Sequence, residues 1–345
     1  MNYDVQGYRF SREEFFPKSV FDQISEVRVR RPEAVREYAA QRKKRKSLTL
    51  DGKLVILASD HPARMVTAML GDPLGMGNRL EYLGRILRVA ATVKLDGMMS
   101  TPDFIEDLMI VDMLNMEAGG ASFLDNQLLV GCVNRGGLIN AAFEMDDRIT
   151  AYTPRGAAKM GLDGVKLMFR IDLADMGSGK TLEYCARTID ECSDLGLPVF
   201  LEPLPSEKVD GVYRVKRTAA DNIKQMGVAS ALGYSSLNTW LKIQCTADME
   251  KVVQASSLPL LMLGGESKGN PMEMLDQFHA GIALGGNVRG AMVGRNVTFP
   301  GPDDPAAVAP AVDAIVHKGV CLEDAYAALR DSRGMQMDAL RRLVP

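Results

Sequence analysis

From residue 51 onward, the chain alternates short apolar runs with longer amphipathic segments. The apolar runs lack the alternation of apolar and polar positions that a sheet with one solvated face shows. Such runs are typical of parallel strands that are buried on both faces. We predict eight strands, at residues 54–59, 96–99, 128–132, 165–171, 199–204, 240–244, 258–263 and 290–293.

The segments between these runs have helical spacing and recognisable ends. One helix is predicted over 181–195, ended by Gly196, and another over 271–283, ended by Gly285 and Gly286. Eight strand–helix units predict an α/β fold, a closed (β/α)8 TIM barrel. The alternative is a doubly wound parallel sheet, which needs fewer strands and usually a second domain to reach this length.

The two ends of the chain add to this barrel. Helical patterns over 12–21, and from Pro32 to about residue 45, predict an N-terminal helical extension over 1–50. The barrel domain then covers 51–345, with its last helix at 306–317 and an extra C-terminal helix at 322–342. No stretch of the sequence resembles a linker between domains.

Composition narrows the class of protein and its surroundings. The chain has 345 residues, of which 46% are hydrophobic and 25% charged, and no apolar run reaches the ~20 residues of a membrane span. The N-terminus shows no secretory leader, and the 5 scattered cysteines suit a reducing compartment. We therefore expect a cytoplasmic homo-oligomer that does not bind membranes.

The charge pattern argues against a nucleic-acid surface, because the net charge is -3. One basic run, residues 42–46, stands out from this balance. We predict that it is a solvated helix end. A contact with a polyanion or with another subunit is the alternative.

Candidate chemistry lies where the predicted strands end, because a barrel of this kind places its active site there. Lys166 and Lys242 fall inside the fourth and sixth apolar runs, where each lysine loses hydration. The two strands are roughly 10 Å apart, so the long side chains can meet and each can lower the pKa of the other. A neutral amine is what carbinolamine formation requires.

Carboxylates accompany these lysines. Glu202 belongs to the fifth predicted strand, between those of the two lysines, and can neutralise one ammonium and relay protons. Asp60 follows the first strand. The alternative is that these residues form purely structural ion pairs at the mouth of the barrel.

A phosphate site is predicted after the last two strands. Gly264 and Gly265 follow the seventh, and Gly294 and Arg295 follow the eighth, where barrels commonly bind phosphate with backbone N–H groups. Arg295 adds a forked cationic donor. This site predicts a small phosphorylated substrate, whereas the alternative is that the glycines serve tight turns alone.

Two other features of the sequence are candidate functional sites. Residues 174–181, ADMGSGKT, approximate a phosphate-binding P-loop with Ala in place of the first Gly, and the alternative is a loop before a helix, with Ser178 near the cap. His61 follows Asp60 and can touch substrate. The 3 histidines form no ligand-like pair, so we predict no metal site and no cofactor.

An ordered set of segments resembles a known family. LASDHPAR, VKLMFR, FLEPLP, WLKIQ, LMLGG and AMVGRNV lie in this order over 54–297. The set is similar to class I aldolases related to tagatose-bisphosphate, sulfofructose-phosphate and archaeal-type class I aldolases. The resemblance implies that Lys242 forms the Schiff base, that Lys166 and Glu202 assist it, and that Asp60 is the first-strand aspartate of the site.

The tryptophan–lysine strand also resembles that of aldolase-like proteins of inositol catabolism. This implies cleavage of 2-deoxy-5-keto-gluconate 6-phosphate to dihydroxyacetone phosphate and malonate semialdehyde. We further expect Asp60 and Arg170 to orient substrate hydroxyls. Two other functions remain open. One is a sugar-phosphate isomerase or epimerase that uses both lysines without a covalent adduct, and the other is a non-catalytic sugar-phosphate sensor.

Overall fold

A computed structural model of the protein describes residues 3–344. Its strands are β1 (Leu54–Ala58), β2 (Gly97–Ser100), β3 (Leu128–Cys132), β4 (Gly164–Ile171), β5 (Val199–Val209), β6 (Val212–Val215), β7 (Thr239–Gln244), β8 (Leu260–Leu263) and β9 (Val288–Val293). Its α-helices are α1 (Arg12–Phe15), α2 (Lys18–Arg30), α3 (Ala34–Gln41), α4 (Arg79–Ala90), α5 (Pro102–Glu117), α6 (Pro154–Lys159), α7 (Gly177–Leu195), α8 (Ala219–Ser230), α9 (Met249–Val253), α10 (Met272–Ala283), α11 (Arg295–Thr298), α12 (Pro305–Asp313) and α13 (Leu322–Ser332).

The strands other than β6 form a closed parallel ring. Their order is β4-β3-β2-β1-β9-β8-β7-β5, and pairing between β5 and β4 closes the ring. Each of the eight predicted apolar runs contributes one strand of this ring. The structure therefore confirms the (β/α)8 barrel and excludes the doubly wound sheet, which would leave two open edges.

Alternation along the strands produces two apolar layers. Leu54, Ile56 and Ala58 of β1 point into the barrel, whereas Val55 and Leu57 pack outward under the helices. Successive side chains of a strand point to opposite faces, so a strand covered on both sides is apolar at every position. This double burial is the reason that the runs show no polar alternation.

A hairpin that the pattern did not predict extends from the barrel. β5 continues past the barrel to Val209, and β6 turns back along it in antiparallel register. Asp210 and Gly211 form the turn, both with positive φ, as a tight hairpin of this kind requires. The hairpin brings Val215 and the residues after it to the mouth of the barrel.

The N-terminal helices pack against the barrel's own core. Phe15, Phe16, Val20 and Ile24 are buried in the same apolar cluster as the outward-facing strand residues. The predicted helix over 12–21 is two helices, because Pro17 precedes the first turn of α2. The second predicted helix is α3, which ends at Gln41.

The prediction for the basic run of residues 42–46 is wrong in part. This run, called here the basic strap, follows α3 instead of ending it. The side chain of Arg42 is fully buried and pairs with Asp163 at 2.7 Å, while Arg45 pairs with Asp96 at 2.8 Å. The strap is thus held against the barrel by ion pairs, although Lys43 and Lys46 are exposed.

The helix ends follow the glycine signals in part. α7 ends as predicted, with Gly196 in the left-handed conformation at φ 65°. The predicted C-terminal helix over 322–342 is too long, because α13 ends at Ser332, just before Gly334 takes a positive φ. None of the helices within residues 3–344 has the length and apolar character needed to cross a membrane.

Candidate active site

Four ionisable side chains, from or just after β1, β4, β5 and β7, form a continuous chain of ion pairs. Lys166 Nζ lies 2.9 Å from Asp60 Oδ2 and 2.9 Å from Glu202 Oε2. The same Glu202 oxygen is 3.0 Å from Lys242 Nζ. Each of these side chains is 8% exposed or less, so its charge is balanced by its neighbours instead of by water. The four residues predicted from the strand ends therefore meet in space.

Strand alternation explains why these side chains point inward. On β4, Val165 and Leu167 pack under the outer helices, which turns Lys166 to the inside. On β7, Leu241 and Ile243 do the same and leave Lys242 inside. The lysines therefore occupy inward positions of strands whose outward positions are fixed by the core.

The carboxylates remain ionised because the lysines outweigh burial. Burial acts to raise the pKa of Glu202, but the charges of Lys166 and Lys242 lower it to about 2. Burial likewise opposes ionisation of Asp60, but the charge of Lys166, which also donates a hydrogen bond to it, holds the pKa of Asp60 well below the ordinary value. Both groups are therefore ionised at neutral pH and accept hydrogen bonds from the lysines.

The two lysines shift in opposite directions. Burial lowers the pKa of Lys242, and the charge of Lys166 lowers it further against the opposing charge of Glu202. Burial would also lower the pKa of Lys166, but Asp60 and Glu202 outweigh it and raise that pKa. The pKa of Lys166 is therefore above its ordinary value in spite of the like charge of Lys242, because two carboxylates contact Lys166 and only one contacts Lys242.

A cavity of about 340 Å³ opens above this ion-pair chain. Asp60, Glu202 and Lys242 line it, whereas Lys166 has no exposed surface. Gly264, Gly265, Arg295 and His61 line the same cavity. The predicted lysine and most of the predicted anion-binding residues thus face one open cavity, which is large enough for a small substrate.

The loops after β8 and β9 are tied together at the cavity wall. Gly265 needs the left-handed conformation, with φ 69°, and Asn296 donates its side-chain amide to Gly264 O at 2.6 Å. Arg295 faces the cavity with its Nε unpaired among the described residues. Burial, partly offset by Glu266, lowers the pKa of Arg295 below its ordinary value.

His61 packs between the first and last strands of the barrel. A Cβ at Gly294 would lie 2.6 Å from Ala58 O and 3.1 Å from the His61 ring, so only glycine fits there. Gly294 therefore shapes the wall without lining the cavity. Burial and the charge of Arg295 hold the pKa of His61 well below its ordinary value, so the ring is neutral at physiological pH.

Arg170 does not reach the cavity, contrary to its predicted role in orienting substrate. Its Nη1 donates to Glu144 Oε1 at 2.8 Å and to Gly136 O at 2.7 Å, both in the long loop after β3. Its side chain is 5% exposed, and Glu144 is buried as well. The pair fastens that loop to β4.

The P-loop-like segment is engaged in its own loop. Ser178 Oγ donates to Asp172 O and accepts from Asp172 N, and Thr181 Oγ1 donates to Met145 O at 2.6 Å. Lys180 pairs with Asp146 on the surface. Ser178 lies within the first turn of α7 and fastens the preceding loop without capping the helix, whose N-cap is Met176. These bonds favour the loop before a helix over a nucleotide site.

Sequence patterns missed several residues that line the cavity. Arg64 ends the short 3-10 helix His61–Arg64 after β1, and Arg217 follows the unpredicted hairpin. Gln244 and Asn296 are also in the wall. The first two carried a signal, since Arg64 belongs to the Asp-His-Pro-Ala-Arg segment after the first strand and Asp210-Gly211 is a hairpin signature. Within residues 3–344, no group of three or more His, Cys, Asp or Glu could hold a metal.

Comparison of the sequence and the structure with known proteins identifies the family to which this chain is similar. The sequence model of the Cgl0159-like family matches residues 52–316. The solved structure of Cgl0159 from Corynebacterium glutamicum is 36% identical, with a TM-score of 0.81, over 88% of this chain and 98% of that one.

More distant barrels share the fold. A Schiff-base-forming fructose-1,6-bisphosphate aldolase is 19% identical, with a TM-score of 0.53, over 82% of this chain and 100% of that one. An archaeal fructose 1,6-bisphosphate aldolase is 20% identical, also with a TM-score of 0.53, over 83% of this chain and 100% of that one. The protein therefore shares the TIM-barrel fold of these two aldolases.

Proposed function

The chain belongs to the Cgl0159-like family, and we propose that it is a class I aldolase that forms a Schiff base on Lys242. The observation that carries this proposal is the state of Lys242. It is a buried lysine with a lowered pKa that still reaches a substrate-sized cavity. A neutral, accessible amine is the nucleophile that carbinolamine formation needs.

Lys242 attacks the ketone carbon of the substrate, and the carbinolamine loses water to give a protonated imine. Cleavage of the neighbouring C–C bond sends its electron pair into the imine and releases an aldehyde. The resulting enamine takes a proton on carbon, and hydrolysis then frees the second product and Lys242. Each of these steps is reversible, so the same site can form the bond.

The residues around Lys242 have separate roles in this reaction. Glu202 is ionised and lies 3.0 Å from Lys242 Nζ, so it can accept and return protons during carbinolamine dehydration and cleavage. Lys166 stays protonated, fixes both carboxylates and favours the neutral form of Lys242. Asp60 accepts a hydrogen bond from a substrate hydroxyl, and His61 offers a neutral ring beside it.

The substrate that we propose is a phosphorylated keto sugar or keto sugar acid. Gly264, Gly265 and Arg295, with Gly294 allowing the close approach of the loops, hold the phosphate. The unpaired Arg295 Nε in the cavity wall supports this assignment. Among such substrates we favour 2-deoxy-5-keto-gluconate 6-phosphate, on the similarity of the tryptophan–lysine strand to inositol-catabolism proteins.

A substrate panel tests the proposal against its alternatives. Purified protein is incubated with 2-deoxy-5-keto-gluconate 6-phosphate, fructose 1,6-bisphosphate and tagatose 1,6-bisphosphate, and the products are identified by NMR. We expect dihydroxyacetone phosphate and an aldehyde from at least one of them, lost in Lys242→Met. Conversion to an isomer or epimer without cleavage would favour the non-covalent enzyme, and binding without turnover would favour the sensor.

A further inference from the structure

Arg64 lines the cavity but has no counter-ion in the described part of the chain. No carboxylate of residues 3–344 lies within 4.0 Å of its guanidinium, and its buried Nε has no hydrogen-bond partner there. Its Nη1 contacts only the thioether Sδ of Met168, at 2.9 Å. A thioether is a weak acceptor and cannot balance a positive charge.

This arrangement departs from the way the molecule treats its buried arginines. Arg42 pairs with Asp163 at 2.7 Å, Arg88 with Asp304 at 2.8 Å and Arg170 with Glu144 at 2.8 Å. The Arg64 side chain as a whole is only partly buried, but its Nε is shielded from water and has no partner, which is costly unless an acceptor is supplied. A cation placed in this way in a cavity wall therefore indicates an anion that arrives with the ligand.

Arg64 follows β1, and its side chain extends towards β4, away from the predicted phosphate site, although its charge is still near enough to lower the pKa of Arg295. Arg64 reaches Met168 on β4, whereas Arg295 follows β9, and these strands stand opposite each other in the ring of eight. Lys242 lies on β7, midway between them along β9-β8-β7-β5-β4. A ketone bound at Lys242 would therefore have one cationic side chain on each side, Arg64 towards β4 and Arg295 towards β9.

From this placement we infer that Arg64 binds a second anionic group of the substrate, a carboxylate on the aldehyde half that leaves after C–C cleavage. The inference rests on the proposed aldolase reaction and names its substrate class, an acidic keto sugar phosphate. Arg64 is then the specificity-determining residue. Its planar fork suits a carboxylate, and the neutral His61 beside it does not compete for the anion.

The test compares two aldehyde acceptors in the direction of bond formation. Dihydroxyacetone phosphate is condensed with malonate semialdehyde or with propanal, which have equal chain lengths but differ in charge. We expect wild type to have a kcat/KM at least about tenfold higher for the acidic aldehyde, as one charged hydrogen bond allows. Arg64→Met should abolish that preference with propanal changed less than about twofold, and Arg64→Lys should restore part of it.

Two comparison variants test whether the preference for the acidic aldehyde depends on Arg64 and not on another cation of the cavity. Arg217→Met removes another cation of the cavity wall, and it should retain the preference. Arg295→Ala should weaken imine formation with dihydroxyacetone phosphate at least about tenfold, whereas Arg64→Met should leave it unchanged. Equal loss of preference in Arg217→Met, or equal loss of imine in Arg64→Met and Arg295→Ala, would overturn the inference.

Failure of the proposed reaction would give a different result. If wild type forms no imine with dihydroxyacetone phosphate or any other ketose phosphate, the aldolase proposal fails. Calorimetric titration with malonate then decides the role of Arg64. A dissociation constant raised about tenfold in Arg64→Met but not in Arg217→Met would retain the anion site, and equal values in all three proteins would reject it.

Discussion

At the scale of single residues, the two buried lysines show that the carboxylates in contact with a buried amine set the direction of its pKa shift. Lys166 contacts two carboxylates and Lys242 contacts one, although both are buried inside the same barrel. The pKa of Lys166 is raised and that of Lys242 is lowered. Lys166 is thereby held as a cation, whereas a larger share of Lys242 is neutral at a given pH than for an ordinary lysine.

Lys166→Met tests whether the charge of Lys166 lowers the pKa of Lys242. Removal of a like charge should raise the pKa of Lys242, so that less of the amine is neutral at a given pH. We therefore expect the acidic limb of the kcat/KM profile to move to higher pH, by about one unit. The profile of purified protein is measured from pH 5 to 10 and compared with that of wild type.

The control for Lys166→Met is Lys251→Met, which removes an exposed lysine of α9 and should change nothing. Thermal unfolding checks that the variants are folded. If burial of the unpaired carboxylates unfolds the single variant, Lys166→Met with Asp60→Asn removes one charge of each sign. Wild-type activity with an unmoved profile would show that Lys166 has no influence on Lys242.

The sequence located the site residues better than it located their partners. Lys166, Met168 and Arg170 share one parity on β4, so alternation alone sends all three inward. Arg170 instead pairs with Glu144 in the loop after β3. Such a long loop has no periodic pattern from which its path can be predicted, and the assignment of Arg170 to substrate failed for that reason.

At the scale of elements, the basic strap links the N-terminal helices to the barrel. Arg42 donates to Gln127 O and Gly161 O as well as to Asp163, and so joins the chain segments that precede β3 and β4. Clustered charge in a sequence usually indicates a solvated surface. Here the partners are supplied by distant residues, which composition cannot reveal.

Arg42→Ala should therefore destabilise the protein, whereas Lys43→Ala, in the same strap, should not. Arg42 is fully buried, and its loss leaves the shielded Asp163 without its closest counter-ion, at a cost of about 3 kcal/mol. Lys43 is 78% exposed, and its ion pair contributes about 0.5 kcal/mol or less. Urea unfolding of the two variants measures the difference, and equal midpoints would show that the strap does not stabilise the fold.

At the scale of the whole molecule, the barrel was predictable because double burial leaves a strong apolar signal in every strand. All eight predicted runs became barrel strands, and the observed strands differ from the predicted ones only in their first or last residues. β6 was missed because its residues alternate between exposed and half-buried positions outside the barrel. Its Asp210-Gly211 turn was nevertheless readable in the sequence.

The meeting of the site residues also follows from the closed barrel. Residues far apart in the chain, such as Asp60 and Lys242, face one cavity because parallel strands bring their carboxyl ends to the same rim. Which side chains then pair, and which are left without a counter-ion, depends on loop paths. The position of Arg64 just after the first strand was readable in the sequence, but its lack of a counter-ion was not.

Chemical trapping of the imine tests whether Lys242 forms the Schiff base. The protein is incubated with dihydroxyacetone phosphate, reduced with borohydride and digested, and the modified peptide is identified by mass spectrometry. We expect a single adduct on Lys242, absent in Lys242→Met and present in the Lys251→Met control. An adduct on Lys166 or another lysine, or none with any ketose phosphate, would contradict this expectation.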